Sequence, residues 1–433
     1  VGVAKMQAAR AAAALGLAPP PWYVRPRACS APFFSQQGAV VMADTPRRVL
    51  IIGAGPGGLT AAIALRRVGI EAAVFERARV LGKAGAGLGV QSNALRALMR
   101  LGIGERLVHA GTELREQEIY DYGGRLLIEL PQGEVADAFG TPAISLLRSD
   151  VQLTLVDALE EGVLRLGSEC VRVEQDPEGV TAHFADGRSE RGAVLIGADG
   201  GRSVVRNHVY GERNRPPRYS GVTIWRSVVQ LEGTLPEGTA RGYLGPGQTF
   251  VMFPVGRQRI YWGVGKREPE GGTDPREGLH HLLTDHLRRF PDVSRRVVQA
   301  TPEAEIIRTD IYDRDPDPTW VNGRVALLGD AAHLTTPFVG QGAGISMEDG
   351  VLLAKELALT NRLRDQRMVV QALKSYERAR APRCANVVLS SRRRGRILFW
   401  RNPALRTARN TLLRSLPKRT RRALIAQSLN YQV

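Results

Sequence analysis

Residues 48–76 constrain the fold more than any other stretch of the chain. Arg48–Ile52 reads RVLII, a short β-branched and apolar run suited to a strand buried on both faces. Glycines follow at once, in Gly53-Ala-Gly55-Pro-Gly57-Gly58. The first permits a tight turn, the second lets main chain approach a pyrophosphate, and the last allows a helix to pack closely on the strand. Leu59–Val68 reads as that helix, its N-terminal N–H groups facing phosphates. The next strand, Ala72–Phe75, ends at Glu76, 23 residues after Gly53, where a carboxylate can accept hydrogen bonds from ribose hydroxyls. A lone glycine fingerprint is a weak signal and also fits a ligand-free turn. Strand, turn, helix, strand and acid in this order predict a dinucleotide-binding βαβ unit, without choosing between NAD and FAD.

Net charge alone would suggest a nucleic-acid partner, since the formal value is +17. Its distribution argues against one. Residues 1–41 hold four basic side chains and residues 390–433 hold twelve, neither segment has an acid, and the remainder balances 44 basic against 43 acidic residues. The body is nearly neutral. Residues 1–46, rich in Ala, Pro and Arg up to position 41, are expected to be a disordered extension, with Met42 as the usual start. A cloning remnant and a basic transit peptide are the other readings of that segment. Three widely separated cysteines, Cys29, Cys170 and Cys384, suggest neither a disulfide framework nor a metal site, and so a reducing, cytoplasmic setting.

Two later blocks decide for flavin. Val194–Ile196 leads into Gly197-Ala-Asp199-Gly200-Gly-Arg202-Ser203-Val-Val-Arg206. Val325–Leu328 leads into Gly329-Asp330-Ala-Ala-His333, then Pro337 and Gly340-Gln341-Gly342-Ala343-Gly344. In this order and separation, over residues 47–390, the three blocks resemble the p-hydroxybenzoate hydroxylase-like family of flavoprotein monooxygenases. The resemblance implies an α/β fold in which a Rossmann-like FAD-binding domain is interleaved with an antiparallel-sheet substrate domain and followed by C-terminal helices. The expected boundaries are 47–215 and 319–390 for the FAD domain, 216–318 for the substrate domain, and 391–433 for a basic helical tail.

The same resemblance implies roles for individual residues. Asp330 would bind the ribitol of FAD, Asp199 and Arg202 would support its pyrophosphate, and Arg148 would lie close to the cofactor. Arg77, Val171 and the segment from Gly340 through Gln341, Gly342 and Ala343 to Gly344 are carried over as cofactor-binding positions. Many relatives have Asn where Gly344 stands, so a side-chain contact there is not implied. A helix starting near Gly342 would direct its positive end at the flavin ring. Reduced by NADPH or NADH, the flavin would react with O2 to a C4a-hydroperoxide, without metal or protein nucleophile. For His333 a packing or hydrogen-bonding role is the expectation.

Tyr219–Val229, Gln248–Pro254 and Arg259–Val264 read as strands between Gly and Pro turns, the antiparallel roof of the substrate pocket. Arg226, Tyr261 and Pro337 are the catalytic candidates, with Trp225 (as an alternative to Arg226), Met252 and Phe338 as further pocket residues, although alternation turns some away. An aromatic or lipophilic small molecule would fit such a pocket. Thr249, where urate hydroxylases are expected to carry arginine, speaks against urate. Epoxidation of an alkene stays open beside hydroxylation, as does a non-catalytic carrier of the same fold. In the tail, Leu405, Ala408, Leu412 and Leu416 recur at helical spacing opposite arginines. Two readings stay open there, an interfacial membrane contact or a helix packed on the flavin domain with a solvated basic face.

Overall fold

The computed structural model describes residues 47–82, 86–275, 277–360, 363 and 365–429, with side chains to 426; the expected extension over residues 1–46 lies outside them. Two sheets organise the body. The first has six strands in the order Val321–Asn322, Val325–Leu327, Val194–Gly197, Val49–Ile52, Ala72–Phe75 and Leu164–Arg165. All its pairings are parallel except the outermost, between Val321–Asn322 and Val325–Leu327. Val49, Leu50, Ile51 and the facing Val194, Leu195 and Ile196 are completely buried, which is why these strands are short unbroken apolar runs rather than alternating ones. Each of the three blocks singled out in the sequence is the loop leaving the C-terminal end of one of these strands, so the sheet alone brings them side by side.

Helix Pro56–Arg67 starts three residues earlier than the sequence pattern predicts, with proline in its first turn, where a missing N–H costs no intrahelical bond. It lies against helix Gly342–Leu357 at main-chain contact distance. A Cβ on Gly57 would sit 2.9 Å from Ser346 Cβ, and one on Gly350 would sit 2.7 Å from Ala61 N. Small residues at both crossing points therefore couple the first block to the third.

The second sheet has seven strands in the order Ile307–Asp313, Arg218–Gln230, Arg259–Lys266, Gln248–Pro254, Thr239–Leu244, Glu116–Asp121 and Leu126–Leu130. It therefore recruits a hairpin from residues 116–130 as well as strands from 216–318. Thr239–Leu244 pairs with Glu116–Asp121 in parallel; every other pairing is antiparallel. One face carries Trp225, Phe250, Met252, Trp262 and Val264 into a core closed by helices Leu279–His286 and Asp292–Gln299. One of the expected pocket residues is thereby corrected. Trp225 donates its indole N–H to Asp274, 2.9 Å away, because alternation sends it to the helix side; Met252 packs with Trp262 on that side and is also among the residues that line the cavity.

Helix Gln366–Leu398 runs unbroken through position 390 and clamps the two sheets. At its far end Arg392 reaches the buried Asp313 carboxylate at 2.9 Å, which also takes both arms of Arg218. In its middle lies a buried charge network. Arg380 Nε donates to Asp349 Oδ1 at 2.6 Å and Arg380 Nη1 pairs with Glu348 Oε2 at 2.8 Å, all three side chains having no exposed surface. Asp349 Oδ2 accepts from the Gly329 N–H at 3.0 Å and from His333 Nε2 at 2.6 Å. Burial works against the Asp349 carboxylate, but Arg380 and His333 override it and hold its pKa down at about 2. Burial likewise disfavours a charged His333; the Cys384 sulfur and Asp349 beside it reverse this and raise its pKa well above the ordinary value.

Beyond the long helix, Asn402 caps helix Pro403–Ser415 by accepting from the N–H groups of Ala404 and Leu405. This helix packs on the substrate sheet rather than on the flavin domain. Leu413 and Leu416 join Ile119, Leu127, Ile128, Leu130 and Leu244, whereas Leu405 and Leu412 face outward at 45% and 61% exposure.

Removing the central cation of the network leaves two buried carboxylates short of their partner. Arg380→Met is expected to cost about 3–5 kcal/mol, read as a lower urea midpoint at neutral pH. Two pH arms follow from the network. The contribution of Asp349 is complete above its unfolded value of 3.8 and fades as pH falls toward 2. That of His333 is complete below 6.5 and is lost as pH rises through its raised folded value. His333→Gln should therefore flatten the alkaline arm of stability against pH and shrink the acid arm, which Arg380 still sustains, as measured by urea unfolding at a series of pH values.

Candidate active site

One cavity of about 1410 Å³ opens between the two sheets, and the three blocks form its floor. From the first come Gly55, Gly57 and Gly58. A Cβ on Gly55 would meet nothing within 4 Å, so the main chain there faces open space of the kind a pyrophosphate fills. Gly53 lies behind the turn at φ +108°, where a Cβ would collide with Ala198 O; it shapes the loop without lining the cavity. Glu76 also stands just behind the lining. Its carboxylate accepts from the Ala54 N–H at 2.8 Å and the Ala78 N–H at 2.9 Å, which fixes it at the end of its strand. Arg77 and Arg148 reach the cavity from either side of this turn.

The second block brings Asp199 and Arg202 to the same wall. Asp199 spends its carboxylate on local bonds, accepting from Ser203 Oγ at 2.5 Å and from the N–H groups of Val204 and Val205 at 2.7 and 3.2 Å. It thus anchors the start of helix Val204–Tyr210 and leaves Gly200 and Gly201 to face the cavity. Burial raises its pKa, and those hydrogen bonds oppose the rise. Arg206, for which no task is legible in the sequence, is buried over the Tyr210 ring and donates to the carbonyls of Ala331 and Ala332 at 2.9 and 3.3 Å. It ties the second block to the third.

The third block supplies Asp330, Pro337, Gly340, Gln341, Gly342 and Ala343. The Asp330 carboxylate is deep in the fold yet open to the cavity. Burial raises its pKa, and His333 and Arg148 pull the other way. Gln341 is held by Asn93, which donates to it at 3.2 Å and to Glu348 at 2.5 Å. The first turn of helix Gly342–Leu357 presents N–H groups that no intrahelical acceptor takes. Gly344 is buried inside that turn, 3.3 Å by its virtual Cβ from Ala94, and does not line the cavity. Val171 also stands apart, 50% exposed on strand Cys170–Gln175, because alternation turns Cys170 inward and Val171 out.

The roof is the other face of the seven-stranded sheet. Arg226 and Tyr261 point down from neighbouring strands, and Phe338 closes one side. Tyr261 packs on Phe253 with ring centroids 4.6 Å apart. Burial raises the pKa of its phenol and Arg226, hydrogen-bonded to it, draws it back, so at neutral pH it keeps its proton. Arg226 donates to Thr309 Oγ1 at 3.3 Å, while its Nε is buried without a partner among the described residues. A guanidinium with a spare donor beside a neutral phenol is a site for an acidic oxygen on a flat molecule held against the floor.

The donor set on the floor fits FAD. An acid at the end of the second strand, an open glycine at the first turn, a carboxylate in the cavity and a helix N-terminus beside it match, in turn, the adenosine ribose, the pyrophosphate, the ribitol and the ring.

Known proteins agree with this geometry. The chain is 38% identical over 382 residues to the aurachin C monooxygenase/isomerase of Stigmatella aurantiaca, covering 87% of this chain and 97% of that protein. It is 34% identical to the 3-hydroxybenzoate 6-hydroxylase of Polaromonas naphthalenivorans, covering 82% and 88%. Its fold matches Klebsiella pneumoniae HpxO complexed with FAD and uric acid at a TM-score of 0.82 and 30% identity, over 88% of this chain and 97% of that one. The model of the FAD binding domain matches residues 47–391, and with these relatives it shows that the chain belongs to the FAD-binding family of flavoprotein aromatic hydroxylases.

Proposed function

We propose that the protein is an FAD-dependent monooxygenase that takes reducing equivalents from NADPH or NADH and places one atom of O2 on an aromatic or polycyclic small molecule. The observation that supports it best is the single cavity in which three glycine-and-acid turns face Arg226 and Tyr261. FAD, when bound and reduced, supplies the activation of O2. The chain's own residues do the rest. Gly55, Gly57 and the N-terminus of helix Pro56–Arg67 receive the pyrophosphate, Glu76 the ribose, and Asp330 the ribitol. The first N–H groups of helix Gly342–Leu357 stabilise negative charge on the ring edge. The seven-stranded sheet keeps water from the space between ring and substrate. Arg226 favours the ionised form of a substrate hydroxyl, and Tyr261 donates to the same oxygen. That spare cation favours a phenol or related acidic ring over an alkene, and so hydroxylation over epoxidation.

The relatives act on different rings, so the substrate is to be found by a panel of phenols, aryl acids and fused rings, following NADH and NADPH oxidation and product mass. A product heavier by one oxygen atom is expected; peroxide alone across the whole panel, or protein that stays colourless after FAD is added, would refute the reading. With the substrate so found, Tyr261→Phe should keep its FAD and lose about 10- to 100-fold in kcat/KM, the cost of one hydrogen bond to a charged oxygen. Arg226→Met should move the acid limb of the pH profile to higher pH, because the substrate hydroxyl then ionises without a cation beside it.

None of the described helices is long and apolar enough to cross a membrane. The reading includes a cytoplasmic enzyme whose tail touches membrane surfaces, supported by the outward-facing Leu405, Leu412 and Leu424 among the tail arginines. Vesicles containing anionic lipid should pellet the full chain and leave Leu405→Ser/Leu412→Ser in the supernatant; equal pelleting of the two removes the membrane contact.

A further inference from the structure

The cavity does not end at the catalytic face. Past Phe338 it continues between the hairpin strands Glu116–Asp121 and Leu126–Leu130 and the C-terminal helices, into a chamber whose walls include Ile119, Ile128, Leu244, Leu413 and Ile425. These five belong to one apolar cluster, separate from the core that stabilises the catalytic sheet. The C-terminal helices are therefore a wall of the cavity.

Arg394 stands at the neck of this chamber. The next residue, Gly395, is pressed on the Phe338 ring, with a virtual Cβ 2.5 Å from Phe338 Cδ2, and Phe338 meets Phe399 edge-on at 5.4 Å. Arg394 lines the cavity, is partly exposed there, and has neither a hydrogen bond nor an ion pair with any described residue; burial lowers its pKa. Arg409 also lines this end. It is only 5% exposed and donates to the carbonyls of Ile397 and Leu398, while its Nη2 has no partner among the described residues. Thr249 on the facing strand is neutral and sits beside Phe399, both meeting a virtual Cβ on Gly265 within 3.0 Å. A guanidinium that lines a cavity without a counter-ion among the described residues is poorly compensated, and an anionic ligand that displaces the remaining water supplies the missing charge.

We propose that this annex is a second chamber of the substrate site, which takes an apolar substituent of the aromatic substrate while Arg394 pairs with an acidic group on the same molecule. The substrate class is then an acidic aromatic ring bearing a hydrocarbon chain, larger than a simple benzoate. This rests on the monooxygenase reading for the placement of the ring, and it is tested by binding rather than turnover.

The holoenzyme is titrated with 2-hydroxybenzoate and its 6-propyl, 6-hexyl and 6-nonyl derivatives, following the perturbation of the flavin spectrum. Kd should fall about fourfold per methylene until the chamber is full. Leu413→Trp, which fills the chamber, should abolish this dependence and leave Kd for 2-hydroxybenzoate unchanged. Arg394→Met should weaken the acids by about 10- to 100-fold relative to their methyl esters, with Arg394→Lys restoring part of the loss. FAD content and thermal melting identify any variant that has failed to fold, and Arg394→Met tests the site without altering the apolar wall. A Kd independent of chain length, a slope unchanged in Leu413→Trp, binding of no member of the series, or a phospholipid extracted in equal amount from the purified protein would each overturn the proposal. Chain-dependent binding without oxygenation of any ring would instead overturn the monooxygenase reading and leave the annex standing.

Discussion

The site depends on one buried carboxylate. Asp349 accepts from the Gly329 N–H and from His333 with one oxygen and from Arg380 with the other. Gly329 turns at φ +61°, and the residue after it is Asp330, so the bond from Asp349 fixes where the cavity carboxylate emerges. The same helix that carries Asp349 crosses helix Pro56–Arg67 at glycine contacts, and the long helix that carries Arg380 clamps both sheets. A charge pair of this kind adds little net stability over an apolar substitute, since desolvation cancels much of the attraction. Its value here is geometric. Three chain segments that are far apart in sequence can satisfy those charges in one arrangement, and that arrangement is the one that forms the cavity floor.

How far the sequence discloses this differs from element to element. The first parallel strands and the glycine turns are legible because both are local: an apolar run plus a turn that only glycine can make leaves few alternatives. The roof strands 218–230, 248–254 and 259–266 are legible for the same reason, and alternation correctly warns that neighbours such as Trp225 and Arg226 point opposite ways. The hairpin 116–130 is harder to place. Its turn at Tyr122-Gly123-Gly124 can be seen, but its pairing with Thr239–Leu244 spans more than a hundred residues and is parallel, so no local pattern records it. Of the tail stripe Leu405, Ala408, Leu412 and Leu416, only Leu416 packs inward. The helix is real, yet the buried face runs through Arg409 and Leu413, because the long helix ends in carbonyls that Arg409 caps and so turns an arginine inward.

The site residues divide in the same way. Those that act through main chain, such as Gly55, Gly340 and Gly342, can be read from glycine alone, because what they supply is the absence of a side chain. Those that act through charge need the fold. Asp199 reads as a cofactor ligand but spends its oxygens on the turn it sits in, and its neighbour in the block, Arg206, carries the link to the third block. A signal for the buried network lies in the acid pair Glu348-Asp349 inside the otherwise uncharged run Gly344–Leu353. Acids at such positions are rare unless paired, and a search for the matching cations would have led to Arg380 and Arg383.

The body of the chain is almost neutral, yet the cavity is lined by eight arginines, among them Arg77, Arg148, Arg202, Arg226 and Arg394, against four acids, of which Asp199 is engaged in its own turn. A neutral protein that concentrates cations on one internal surface has ionisable ligands to hold there. The first three arginines stand by the glycine turns, where a pyrophosphate belongs, and cannot also serve the roof. Arg226 faces the ring from above, and Arg394 faces the apolar chamber past Phe338. Two positions for an anion thus face the substrate space, one over the reacting ring and one at the neck of the chamber. A small neutral ring would leave the second unanswered, so the shape of the charge points to a long, acidic aromatic molecule lying along the cavity rather than a compact one resting only on its floor.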